Sequence, residues 1–545
     1  MSIFKGEPES RGPLAPLASR VFFAIWVAAM ASNIGTQVQS VGEKWQMAHL
    51  TSSPLLVALI ETGTTLPVLG LGLAAGALAD ILDRRRLLLA TQVFMMLVAG
   101  SLAALTFFGQ VTPMRLLGMS LLIGIGSALS MPAFQAIVPE LLPRRDLGAG
   151  VALNSAGFNT SRALGPAVGG FVVGLLGAGW AFLLNAVSFL AVVAVLVNWK
   201  RPVPTQDLPS ERFLGAMKVG FRYVRHSRPL QIILLRALGY TWFAGVIFSL
   251  LPVLAIHHLR LSSSAFGLLM GCVGAGAVSI TFLMPRLRER FSANQLLAGF
   301  SLLAMTAQLV IAFVPHTLTV ALCLFCAGMG WLATLSTVNT AIQISVPSWV
   351  KARAFGAYQM AWGGSMALGA AFWGAVAQRF GLAAAFALSA AGLGLTLAVI
   401  GRWHIQAFEE ELDLDPHQDA PHQPSPIPLN AGPILVQLEY RVPMETREAF
   451  LEAMGPVRRL RLRDGAMRWA LLEEPEKSDG QQIHFVESYL SSSMGEHLRQ
   501  HHRNTNADRE LLASAYRFDT QGRPEARHMV AVQEEQPSLM QKIWH

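Results

Sequence analysis

The sequence predicts an all-α polytopic membrane protein, with twelve transmembrane helices in two six-helix halves and a small cytoplasmic α+β domain behind them. Three observations carry this. The 545 residues are 52% hydrophobic and 14% charged, whereas soluble domains carry about a quarter charged residues. Lipid must therefore solvate much of the chain, in keeping with a mean hydropathy of +0.43. Next, the basic hairpin Gly76-Ala-Leu-Ala-Asp80-Ile-Leu-Asp83-Arg84-Arg85-Arg86 separates two apolar runs. Residues 54–79 hold one charge, Glu61, and residues 87–114 hold none. Finally, residues 1–405 are basic by 16 charges and residues 406–545 acidic by 8, which implies two units with different surroundings.

A bilayer core about 30 Å thick needs about 20 apolar residues per helix. Twelve such segments begin near residues 20, 54, 87, 115, 149, 180, 230, 264, 293, 318, 355 and 383. With the amino terminus in the cytoplasm, the loops and flanks on that side carry 21 Lys and Arg, among them Arg84–Arg86, Arg144, Arg145, Arg286, Arg288, Arg290, Lys351 and Arg353. The opposite side carries four, Lys44, Arg115, Arg260 and Arg379. The positive-inside bias thus puts both termini in the cytoplasm and explains the basic balance without nucleic acid as a partner. Residues 1–19 lack a signal-peptide cleavage pattern, so the first helix is expected to stay in the mature protein. Cys272, Cys323 and Cys326 lie in apolar segments. The Cys323-Leu-Phe-Cys326 spacing is read as helix packing, and no disulfide framework, metal site or cofactor is expected.

An internal repeat supports the two halves. Gln135, Val138, Pro139, Arg145 and Gly148 recur as Gln343, Val346, Pro347, Arg353 and Gly356 at an offset of 208, and Ser161-Arg-Ala-Leu-Gly165 is echoed by Ser365-Met-Ala-Leu-Gly369. Helices four–five and ten–eleven are thus copies, as expected of parallel six-helix repeats around a central site. The expected domains are 1–198 (first half), 199–229 (central loop), 230–405 (second half), 406–432 (acidic Pro-rich linker), 433–532 (folded tail) and 533–545 (terminal extension).

The tail reads as strand 433–442, helix 445–463, strand 466–474, strand 481–490, helix 493–516 and strand 525–532. Ser493-x-x-Glu496 is a capping-box start, and the βαββαβ order is that of a ferredoxin-like domain. His497, His501 and His502 are read as a solvated helix face. Self-association or regulation is the expected role.

The hairpin's Gly-x-Leu-Ala-Asp-x-x-x-Arg-Arg-Arg spacing resembles the signature of the major facilitator superfamily. Further stretches narrow the resemblance: Ser32-Asn-Ile-Gly-Thr36 with Gln39, Ser130-Met-Pro-Ala-Phe-Gln135 with Glu140, and Arg162-Ala-Leu-Gly-Pro-Ala-Val-Gly-Gly170. In the tail they are Gly432-Pro-Ile-Leu-Val-Gln-Leu-Glu-Tyr440, Arg461-Leu-Arg-Asp-Gly465 and Glu496-His-Leu-Arg-Gln-His501. Together these resemble the bacterial transmembrane secretion effector branch, related to the enterobactin exporter. The resemblance implies an alternating-access secondary transporter in the bacterial inner membrane, exporting small organic molecules of hydrophobic drug or siderophore type with proton coupling. It implies no enzyme activity. The alternative reading is a membrane-tethered enzyme or sensor whose tail acts.

In the resembling fold Asp80 approaches the start of helix eleven near Phe355–Ala357, where a carboxylate meets the positive dipole end. The expected gate comprises Gly76, Asp80, Arg84, Arg85, Glu140, Arg145 and Arg353, with Arg84 and Arg85 holding Asp80 or Glu140. Asp83 stands where the common pattern has a second glycine. Gly165, Pro166, Gly169 and Gly170 form a helix-five pattern similar to that of exporters, and an ordinary packing seam would use the same letters. Glu61 and Arg162 are ionisable groups inside apolar helices, by default facing a partner or a cavity. Glu61 is read as a proton carrier or a structural Glu, and Arg162 as a substrate contact or a structural clamp. Arg236 is expected to reach the membrane interface. Asn33, Gln37, Gln135, Trp331, Asn339, Gln343, Gln359 and Trp362 complete the expected cavity. Ser120 occupies the position where proton-coupled drug exporters often have an arginine.

Overall fold

The computed structural model describes residues 12, 14–143, 146–199, 223–346, 350–403, 427–428, 431–478, 481–503, 506–522 and 524–530. The first half is built of α1 (Arg20–Leu50), α2 (Pro54–Ile81), α3 (Arg84–Phe107), α4 (Pro113–Leu141), α5 (Leu147–Leu176) and α6 (Ala178–Asn198). The second half comprises α7 (Arg228–Ala244, continued by Val246–Val253 and a π-helical turn Leu254–His258), α8 (Ser263–Arg290), α9 (Ala293–Phe313), α10 (Thr317–Ser345), α11 (Lys351–Phe380) and α12 (Leu382–Ile400). Among the described residues, ten helical segments are long and apolar enough to cross a membrane. α5, represented there by Leu164–Leu176 alone, and α11 are not among them.

Local chemistry sets the helix ends. Ser53, Thr112, Ser262 and Ser292 each accept a backbone N–H with the side chain, and Ser292 closes a capping box with Gln295. Asp83, the residue at the second-glycine position, is the N-cap of α3 and accepts from the Arg86 N–H. Gly177 and Gly381 turn the chain between α5 and α6 and between α11 and α12 at φ +90° and +89°, where a side chain would be strained. The repeat extends to hydrogen bonds. Ser161 on α5 donates to the Met30 carbonyl on α1, and Ser365 on α11 donates to Leu238 on α7. One expectation needs correcting: α1 is 31 residues long, so Lys44 lies inside it rather than in a loop.

The chain divides into two compact units. One draws on residues 1–209, 232–339 and 358–405; the other joins residues 210–231 and 340–357 to 406–545. In the second unit, β1 (Ile434–Pro443), α13 (Arg447–Asp464), β2 (Arg468–Glu473), β3 (Gln482–Ser491), α14 (Met494–Arg503), α15 (Asn506–Tyr516) and β4 (Glu525–Val530) follow in order. The four strands make one antiparallel sheet in the order β2-β3-β1-β4. The helix expected over 493–516 is described as Met494–Arg503 and Asn506–Tyr516. Alternate residues of β1 and β3 enter a core with Phe450, Met454 and Val457 of α13. The fully buried Glu487 carboxylate is satisfied by Arg461, Tyr440 and Trp469, as a buried charge requires. His497 does not sit on a solvated face: it is 2% exposed, with its Nε2 2.8 Å from Nε2 of His528.

Candidate functional site

Two seams join the halves at the end of the bundle where odd-numbered helices finish. On the α2–α11 seam, Ser53 donates to the Gln378 side chain at 2.9 Å and Thr62 to the Ala367 carbonyl at 2.6 Å. A Cβ on Gly374 would lie 2.7 Å from that of Ala58, so only hydrogen fits there. On the α5–α8 seam, Gly170 meets Gly267, and a Cβ on Gly170 would stand 2.6 Å from the Gly267 Cα. Ser263 and Ser264 both donate to the Gly174 carbonyl. Around these seams one apolar cluster includes Ala58, Val173, Phe266, Met270 and Trp373, and so draws on both halves. Two further clusters of described residues each stay within one half. Leu87, Ile137 and Leu196 belong to a cluster of the first half, and Met284, Leu296 and Phe300 to one of the second.

The helix-five pattern has two faces. A Cβ on Gly165 would run into Gln37, and one on Gly169 would lie 2.9 Å from the Val38 Cα, so these two seat α5 on α1. Gly170 serves α8 instead.

Inside the first half, Asn185 of α6 donates to Gln39 Oε1, and Gln39 Nε2 donates to Glu43 Oε1, both at 2.6 Å. Glu43 is 1% exposed, and its Oε2 has no hydrogen-bond partner. Beside it Lys44 pairs with Glu61, both largely buried. Sequence reasoning missed Glu43 and Asn185.

In the second half, Trp331 of α10 meets Trp362 of α11 at 4.9 Å, edge to face. Phe248 lies 4.6 Å and Tyr240 6.1 Å from Trp331, and Tyr358 lies 5.9 Å from Trp362. Trp331 and Phe248 are half-buried; Tyr240, Tyr358 and Trp362 are buried. Phe248 follows the interruption of α7 at Gly245. Broken or π-distorted helices recur at functional sites because irregular backbone is tolerated where it lines a cavity.

The remaining expected residues fall as follows. The Arg85 guanidinium donates to the Leu196 and Val197 carbonyls at 2.8 and 2.9 Å, capping α6. Arg236 does the same for the end of α12, donating to Gly401 and Trp403. Both place a cation at a helix carboxyl end. Arg84 opens α3. Gly76 and Asp80 lie near the end of α2, Glu140 at the end of α4, Gln135 on α4, Arg162 on α5 and Arg353 in the first turn of α11; their side chains are outside the described residues, as is Arg145. The side chains of His501 and His502 are likewise outside them. Asn33, Gln37, Asn339 and Gln359 are half-buried, and Gln343 is exposed.

Paired closure seams, a polar network in one half and an aromatic cluster in the other define a polytopic membrane transporter. The family model described as transmembrane secretion effector matches residues 11–537, so the chain belongs to that family, within the major facilitator superfamily. It is a transporter and not an enzyme. It is 26% identical over 298 residues to the staphyloferrin A transporter of Staphylococcus aureus, covering 52% of this chain and 74% of that one. It is 25% identical to the multidrug efflux pump Tap of Mycolicibacterium fortuitum, covering 69% and 92%. Among solved structures, an inward-facing, occupied bacterial homologue of the human lysosomal transporter Spinster aligns at TM-score 0.56 with 16% identity, over 71% of this chain and 96% of that one. The nucleoside transporter NupG aligns at TM-score 0.56 with 11% identity, over 70% and 98%. These structures speak for the fold alone.

Proposed function

We propose that the protein exports bulky, largely apolar organic molecules, of drug or siderophore class, from the bacterial cytoplasm by alternating access. The carrying observation is the apolar cluster that joins the halves at the end where odd-numbered helices finish, around the α2–α11 and α5–α8 seams. With both termini cytoplasmic, as the positive-inside bias argues, the seams close the outer face. All twelve long helices cross the inner membrane in this reading.

The aromatic cluster of Tyr240, Phe248, Trp331, Tyr358 and Trp362 supports an apolar cargo, since rings supply large contact area and offset or edge contacts. Asn33, Gln37, Gln135, Arg162, Asn339, Gln343 and Gln359 supply its polar contacts. Asp80 and the start of α11, with Gly76, Arg84, Glu140, Arg145 and Arg353, form the inner latch; Arg85 acts as a helix cap. Proton coupling falls to Glu43 rather than Glu61. Glu61 is neutralised by Lys44, whereas Glu43 ends a donor chain and keeps one oxygen unpartnered. The tail, taken with boundaries 433–532, is a ferredoxin-like domain, supported by its element order and the strand order β2-β3-β1-β4. The family match spans helices and tail together, which favours a tail that serves transport or self-association over one with separate activity.

The test is accumulation of a panel of macrolides, cationic dyes and ferric siderophores in efflux-deficient cells. Wild type is expected to lower the accumulation of at least one compound, and Asp80→Asn to restore it. A panel on which wild type and Asp80→Asn never differ sinks the gate assignment.

A further inference from the structure

The tail's compact unit includes chain from elsewhere: residues 210–231, which lead into α7, and residues 340–357, where α10 ends and α11 begins. The first is the end of the central loop with the start of α7, and the second lies in the second half. The contact that ties the first of them to the tail is described in atomic detail. Residues 223–226 are helical, and Tyr223 is 2% exposed. The Arg463 guanidinium, at the end of α13, lies 5.8 Å from the centre of the Tyr223 ring. Arg463 is itself held by Asp464 at 2.8 Å and by Asp508 of α15 at 2.7 Å. The cation is thus fixed by two carboxylates while an aromatic face covers it, a geometry that favours cation–π attraction in a water-poor site. Burial pushes the Tyr223 phenol up to about 12, so the ring stays neutral at any physiological pH.

The turn is also fastened to the helix that follows it. Gln231, in the first turn of α7, donates through Nε2 to the carbonyls of Val224 at 3.0 Å and Arg225 at 2.5 Å. The Ser227 N–H returns to the Tyr223 carbonyl at 2.8 Å. A displacement of Tyr223 therefore reaches α7 through one rigid corner rather than a loose linker. Large aromatics in desolvated pockets, paired with arginine, are the residues that dominate binding surfaces.

We propose that Tyr223 is the anchor by which the C-terminal domain grips the cytoplasmic start of α7. Through this grip the domain travels with the second half and governs its rocking. The partner of this surface is the chain's own segment 223–231. The assignment rests on the transport reading only for its consequence; the grip itself stands on contacts within one compact unit.

The experiment compares full-length wild type, Tyr223→Phe and Tyr223→Ala by hydrogen exchange and by export of whichever panel compound wild type removes. Tyr223→Phe keeps the ring and is expected to match wild type in both. Tyr223→Ala is expected to speed exchange at least tenfold in 223–231 and in 460–466, leave β1 and β3 protected, and slow export several-fold. Unchanged exchange in 460–466 overturns the grip. Faster exchange with undiminished export overturns its control of transport. If wild type exports nothing, the transport reading fails by itself, and the exchange comparison still decides the grip.

Discussion

At the scale of single residues, the first half holds two carboxyls that sequence distance does not rank. Glu61 is paired with Lys44, while Glu43 receives one hydrogen bond from Gln39 and keeps an oxygen unpartnered. Their variants should separate. Glu43→Gln preserves shape and is expected to lower export driven by a pH gradient at least tenfold, with thermal stability within a few degrees of wild type. Glu61→Gln leaves a largely buried lysine uncompensated and should cost about 3–5 kcal/mol of stability, read as a lowered unfolding temperature in detergent. If Glu61→Gln alone abolishes the pH-driven component, the coupling assignment is wrong. Trp331 and Trp362 stand out in the sequence as large aromatics on α10 and α11, but that they meet edge to face is a matter of packing. Phe248 does not stand out, since its place depends on the interruption of α7 at Gly245. Glu43 escaped for a related reason. A span of about 20 residues ends near it, whereas α1 continues to Leu50 and turns an apparent flank into helix interior. Its partner chain reaches Asn185, 146 residues from Gln39 in sequence, a separation no local pattern bridges.

At the scale of elements, α5 makes two kinds of contact from one short pattern. Gly165 and Gly169 lie against α1 within the same half, where contact is permanent. Gly170 lies against Gly267 across the halves, where contact must form and break in every cycle. The letters Gly-Pro-x-x-Gly-Gly announce close helix approach but not which neighbour each glycine meets; the division emerges only from packing. It yields a directional expectation. Gly170→Ala places a Cβ against the Gly267 backbone and so penalises the closed seam while leaving the α1 contact intact. It should shift the population toward outer opening. A Ser264→Cys reporter, with Cys272, Cys323 and Cys326 replaced, should react several-fold faster with a membrane-impermeant maleimide applied outside. Gly165→Ala, which strikes Gln37, should lower stability without that change in reactivity. Equal reactivity in the two would mean that α5–α8 contact does not report the outer seam.

At the scale of the whole molecule, the helix starts and the repeat were readable because apolar length and turn chemistry are local. Every long helix begins within four residues of its expected start. The seams were not readable, because they unite residues such as Ser53 and Gln378 across 325 positions and exist in only one state of a two-state cycle. A transporter that alternates must be able to lose the cluster joining its halves and regain it, and locking the cluster should therefore stop transport without unfolding the protein. Gly174 and Ser264 offer the lock. A Cβ on Gly174 would lie 2.9 Å from the Ser264 Cα, closer than an unstrained contact allows, so the seam must part slightly to reach the Cβ spacing of about 3.5–4.5 Å that suits a disulfide. In a chain freed of its native cysteines, Gly174→Cys with Ser264→Cys should oxidise readily and lose nearly all export while still binding cargo from the cytoplasmic side, as read by quenching of tryptophan fluorescence. Reduction should restore export to the level of either single variant. Export that continues through the oxidised protein would mean that cargo passes without the outer seam opening, and alternating access about that seam would have to be abandoned.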